Sequence, residues 1–110
     1  MYKIKGNIWV ESESGAFIGN GRMLLLEKIK ELGSITKAAK FMKMSYRQAW
    51  GLVSSMNKQS GKPLVTTAAG GAGGGGAVVT KEGEKAIATF KKLQEKFYKF
   101  NEEESRKLKF

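Results

Sequence analysis

Within four consecutive positions, Ser45, Tyr46, Arg47 and Gln48 bring together a hydroxyl, a phenol, a guanidinium and a carboxamide. None of them is a strong nucleophile or base at neutral pH without an activating partner. Guanidinium and carboxamide are suited instead to planar, paired hydrogen bonding. The chain has no histidine and no cysteine, which removes disulfides, Cys/His metal sites, thiol catalysis and imidazole bases together. A hydrolase would then need paired carboxylates. The acidic residues fall mostly on expected helix surfaces or in the run Glu102 to Glu104, where solvation is their ordinary role. The expectation is a protein that is not an enzyme and needs no cofactor.

A second candidate for chemistry is the run from Gly70 to Gly76, six glycines in seven positions. A phosphate-binding Walker loop needs Lys and then Ser or Thr after its last glycine, but Gly76 is followed by Ala77 and Val78. Gly71, Gly73 and Gly76 satisfy G-x-G-x-x-G, yet that fingerprint must open a helix, and "AVVT" reads as a strand. The flanks "PLV" at 63–65 and "AVV" at 77–79 want pairing, so a hairpin over 63–80 with a glycine tip explains more than a tether or a nucleotide loop. Such a tip lets backbone approach a phosphate ribbon or a groove.

Charge narrows the class of partner. Lys and Arg outnumber Asp and Glu by 20 to 10, a formal charge of +10. Residues 21–62 hold nine basic residues against only Glu27 and Glu31. An excess concentrated in one segment favours a polyanion such as nucleic acid. No apolar run reaches the roughly 18 residues of a membrane span, and Met1 to Val10 lacks the continuous apolar stretch of a secretory signal. The expectation is a cytoplasmic protein without a membrane partner.

The elements that must position these groups follow from periodicity. Tyr2, Ile4, Ile8 and Val10 alternate as in a strand, Ser12 to Gly15 turns, and Phe17 and Ile18 return, giving an N-terminal hairpin over 1–20. Three helices are expected over 22–58. Leu25, Leu26, Ile29 and Leu32 mark the first, which ends at Gly33. Ser34 caps the second, whose Ile35, Ala38, Ala39 and Met42 face inward. After a turn of three residues, Ser45 and Gln48 form a capping box for the third. Lys43 stands in that turn where a left-handed conformation is common, at a cost of roughly 1 kcal/mol relative to glycine. Gly61 and Pro63 close the third helix, a hairpin occupies 63–80, and a long helix over 81–101 precedes a charged, fraying tail at 102–110. Ala86, Phe90, Leu93, Phe97 and Phe100 recur at heptad-like spacings on that helix and ask for a partner. The fold class is α+β: one domain over 1–110, a winged helix-turn-helix with an extra N-terminal β-hairpin and a long C-terminal dimerisation helix.

On the third helix, Ala49, Leu52, Val53 and Met56 are expected inside. Arg47, Gln48, Gly51, Ser54, Ser55 and Lys58 then lie opposite. Arg pairs bidentately with guanine and Gln with adenine. Ser45 and nearby backbone N–H groups suit a phosphate, and Gly51 would let the helix sit close to a groove floor. Ser34, Thr36, Lys37 and Lys40 on the second helix would position the domain on phosphates, with Gly73, Gly74 and Gly75 contributing from the hairpin tip. Tyr46 also lies in this set, although it and Trp50 are expected to pack chiefly against the first helix and the hairpin.

"GSITKAAKFMKMSYRQAWGLVSSMN" at 33–57, "PLV" at 63–65 and "GGAGGGGAVVT" at 70–80 resemble the DNA-binding domain of the molybdate-responsive ModE transcriptional regulators, relatives of the LysR-type winged helices. The resemblance covers roughly residues 3 to 100. It implies a homodimer on double-stranded DNA, with the helix starting at Ser45 in the major groove, and it places the dimer contact on Phe90, Leu93, Phe97 and Phe100. Family wings usually carry basic residues where this chain has Thr66, Thr67, Ala68, Ala69 and Ala72. Family members continue into oxyanion-binding domains, whereas this chain stops at Phe110. No residue is assignable to molybdate, which is not expected to bind here. The expected function is a dimeric, sequence-specific transcriptional regulator. The alternatives are a winged-helix protein–protein interaction module and a nonspecific architectural DNA binder.

Overall fold

A computed structural model describes residues 1–68 and 76–110. It is an α+β arrangement of four helices and two small antiparallel sheets, ordered β1 (Trp9–Ser12), β2 (Gly15–Gly19), α1 (Asn20–Leu32), α2 (Ile35–Phe41), α3 (Tyr46–Gln59), β3 (Val65–Thr67), β4 (Ala77–Val79) and α4 (Lys81–Ser105). β1 pairs with β2 and β3 with β4, each as a separate two-stranded sheet.

The first hairpin is shorter than the alternation from Tyr2 predicts. Its ladder ends at the pair Trp9 and Gly19, because β2 gives way to α1 at Asn20 and leaves no strand for residues before Trp9. Those residues lie along the distal half of α4 instead: the Ile4 N–H donates to Ser105 Oγ at 2.7 Å, and Gly6 sits against the Phe97 ring. This contact also accounts for α4 running past residue 101. α4 continues to Ser105, and the Tyr2 and Phe110 rings meet edge-on, 5.1 Å between centroids.

α1 lies at the centre of the packing. Its Met23, Leu25, Leu26 and Ile29 are buried with Ile18 from β2, Ile35, Ala38 and Ala39 from α2, Ala49, Val53 and Met56 from α3, Val65 and Ala77 from the second sheet, and Ile87 and Phe90 from α4. Gly33 ends α1 in the left-handed region, φ 65°. Its carbonyl accepts from the Ala77 N–H at 3.0 Å, hanging β4 on the end of the helix. Lys30–Glu84 and Lys91–Glu27 ion pairs, at 2.8 and 2.7 Å, join α1 to α4 along the surface.

The join between β3, β4 and α4 is tight. Thr80 caps α4 by accepting from the Gly83 N–H, and its hydroxyl donates to the Pro63 carbonyl at 2.7 Å. Gly83 is buried, and a Cβ there would collide with the Leu64 carbonyl and lie 2.6 Å from Val79 Cγ1. Backbone cannot yield as a side chain can, so Gly83→Ala is expected to destabilise the protein by about 1–3 kcal/mol through overpacking, despite the higher helix propensity of alanine. A lowered urea midpoint with unchanged slope is the measurement that checks it.

Candidate nucleic-acid interface

α2 and α3 are joined by Met42 to Ser45, and the bend is made by Lys43, which has φ 56° as its position suggested. The Met44 N–H reaches back to the Ala39 carbonyl at 3.0 Å, closing the end of α2. Ser34 Oγ accepts from the Lys37 N–H at 3.1 Å, and Ser45 Oγ accepts from the Gln48 N–H at 3.0 Å. Both serines are therefore helix caps, which takes up one lone pair of each hydroxyl.

Because Ile35, Ala38 and Ala39 are buried, Thr36, Lys37 and Lys40 lie exposed on the other side of α2. On α3, burial of Ala49, Val53 and Met56 leaves Arg47, Gln48, Gly51 and Lys58 exposed, with Ser54 half-buried beside them. Among the described residues, no acidic side chain pairs with Lys37, Lys40, Lys43, Arg47 or Lys58, while Glu27 and Glu31 are engaged by Lys91 and Lys28. The outward faces of α2 and α3 are therefore net cationic. A Cβ added to Gly51 would meet nothing within 4 Å among the described residues, so their packing does not require glycine there.

Three expectations need correction. Ser55 does not belong to the outward face: its Oγ accepts from Arg22 Nη1 at 3.1 Å and from Gln59 Nε2 at 3.0 Å. It lies half-buried between α1 and the first hairpin, which Gln59 also holds through Ser12 and the Ala16 carbonyl. Tyr46 and Trp50 do not pack away against α1 and the second sheet; they remain 53% and 40% exposed, because the neighbouring face of α3, with Ala49, Val53 and Met56, is the one that enters the core. Phe90 is not a surface seam residue but is 1% exposed in the core, since α4 turns that position toward α1. Of the seam, Leu93 and Phe100 are exposed at 37% and 54%, and Phe97 is half-buried. Gly73, Gly74 and Gly75 lie outside the described residues.

Sequence reasoning missed Asn57. Its Oδ1 accepts from the Leu64 and Val65 N–H groups at 2.8 and 3.2 Å, and its Nδ2 donates to the Val65 carbonyl at 2.9 Å. The side chain pairs with β3 as another strand would. Its polar type on the half-buried flank of an amphipathic helix was the only available signal.

No family model matches the chain. It is similar to proteins named for ModE and Mop. The molybdenum transport protein ModE of Azotobacter vinelandii is 33% identical over 85 residues, covering 77% of this chain and 32% of that protein. The molybdenum-pterin-binding protein MopB of Rhodobacter capsulatus is 44% identical over 81 residues, 74% of this chain and 30% of the relative. The transcriptional regulator ModE of Haemophilus influenzae is 41% identical over 56 residues, 51% of this chain and 22% of the relative. The chain thus aligns with about a third or less of each relative's length. None of these names describes an enzymatic reaction. No helix among the described residues is long and apolar enough to cross a membrane.

Removing the Asn57 amide would leave the Leu64 and Val65 N–H groups and the Val65 carbonyl without their partner. Asn57→Ala is expected to cost about 1–3 kcal/mol, and amide exchange in β3 should rise more than in α2, which proton-resolved hydrogen exchange would check.

Proposed function

We propose that the chain is a winged helix-turn-helix that binds double-stranded DNA as a homodimer and acts in transcriptional regulation. In this reading α2 and α3 are the helix-turn-helix, β3 and β4 the wing, and α4 the dimerisation helix. The observation that carries it is the outward face of α3. Arg47, Gln48 and Lys58 have no acidic partner there among the described residues, and they surround a glycine that the packing of the described residues does not need. Glycine inside a helix costs about 1 kcal/mol relative to alanine. A surface that must sit against a groove floor explains that cost, and a merely solvated surface does not. Arg47 and Gln48 read base edges, while Lys37 and Lys40 contact phosphates. The relative named as a transcriptional regulator supports the same reading. The molybdenum functions named for other relatives are not assigned to these residues.

Leu93 and Phe100, exposed on one side of α4, are the dimer contact together with Phe97. Phe90 supports that helix from inside. A selection from random duplexes should recover an inverted repeat, with binding that weakens steeply as salt rises. Arg47→Ala or Gln48→Ala should flatten sequence preference, each lost pairing being worth about 1–3 kcal/mol. Lys40→Ala should lower affinity on all duplexes and reduce the salt slope by about 1. Recovery of no sequence preference would instead indicate an architectural DNA binder, and retention of a specific protein with no duplex binding at low salt would indicate an interaction module. Sedimentation equilibrium should give twice the chain mass, and Leu93→Glu with Phe100→Glu should return it to the monomer with the helical circular-dichroism signal intact.

A further inference from the structure

Two large aromatic side chains, Tyr46 and Trp50, stand one turn apart at the start of α3 and stay about half exposed. Neither the Tyr46 hydroxyl nor the Trp50 indole N–H has a hydrogen-bond partner among the described residues. Exposed pairs of this size on an otherwise polar helix mark contact surfaces rather than solvated ones. The cations beside them, Arg47 on α3, Lys43 in the turn, and Lys37 and Lys40 on α2, have no acidic partner among the described residues. The occupant is therefore a polyanion that also offers apolar surface. Within the major groove, the apolar group on a base edge is the C5-methyl of thymine. Duplex bases are already stacked, so the rings cannot serve as stacking platforms as they would for single strands.

We infer that Tyr46 is a specificity-determining residue that packs its ring on a thymine methyl group, next to the bases paired by Arg47 and Gln48. The inference rests on the DNA-binding reading above and adds the kind of base this helix selects. Tyr46 acts through the apolar ring and not the hydroxyl, so phenylalanine should replace it.

The test uses the duplex recovered by selection, with each thymine in turn replaced by deoxyuridine, which removes the methyl group and no hydrogen-bonding atom. For the unaltered protein, at least one position per half-site should weaken binding about fourfold, the effect of one buried methyl-sized group. Tyr46→Ala should bind the thymine and uracil duplexes equally, and Tyr46→Phe should keep the difference. Both substitutions lie on the surface, and an unchanged thermal midpoint would confirm that folding is retained. If sequence-selective binding is found but no uracil position matters, or if Tyr46→Ala keeps the methyl dependence, the inference is overturned while the DNA-binding reading stands. If no duplex sequence is preferred at all, both fall.

Discussion

The apolar stripe of α1 is the constraint on which the other elements depend. Leu25, Leu26 and Ile29 are wholly enclosed, and every other helix, the second strand of the first hairpin and the second sheet contribute apolar residues to the same core. A chain of this size has only one core to fill. Each residue that packs on α1 therefore decides which residue beside it faces outward. Burial of Ala49, Val53 and Met56 is what turns Arg47, Gly51 and Lys58 toward solvent, and burial of Ala38 and Ala39 does the same for Lys37 and Lys40.

Around that core the positions of α3 and the second sheet are set by polar contacts that apolar packing alone would leave free to slide. Asn57 fixes β3 to the end of α3 through three hydrogen bonds. Thr80 links the base of β3 to the start of α4, and Gly33 ties β4 to α1. Strand pairs of three residues are marginal by themselves. Their orientation relative to α3 comes from these side-chain and backbone bonds.

α4 has two halves with different support. Ile87 and Phe90 enter the core, whereas beyond Phe97 the helix is covered on one side by the N-terminal segment, through Ile4 and Gly6. Asn101 is buried beneath that cover, and its Oδ1 has no hydrogen-bond partner among the described residues. The exposed Leu93 and Phe100 lie on another side of the helix. A heptad-like spacing thus divides between an intramolecular contact and a surface one.

Much of the architecture was legible from local rules. The helix bounds at Gly33, Ser34 and Ser45, the left-handed Lys43 and the pairing of residues 65–67 with 77–79 all follow from capping, glycine punctuation and short-range periodicity, whose causes lie within a few residues of their effects. The cationic bias of residues 21–62 is likewise a property of composition. Tertiary structure decided everything that depends on who is already occupying a site. Tyr2 to Ile8 alternate as a strand does, but β2 is too short to pair with them. Phe90 shares a spacing with Leu93 and Phe100 but faces the core, while Ser55 is held by Arg22 and Gln59, and Tyr46 and Trp50 are left outside the core. Periodicity states which residues share a face; only the competition of several elements for one core determines which face is buried and by what.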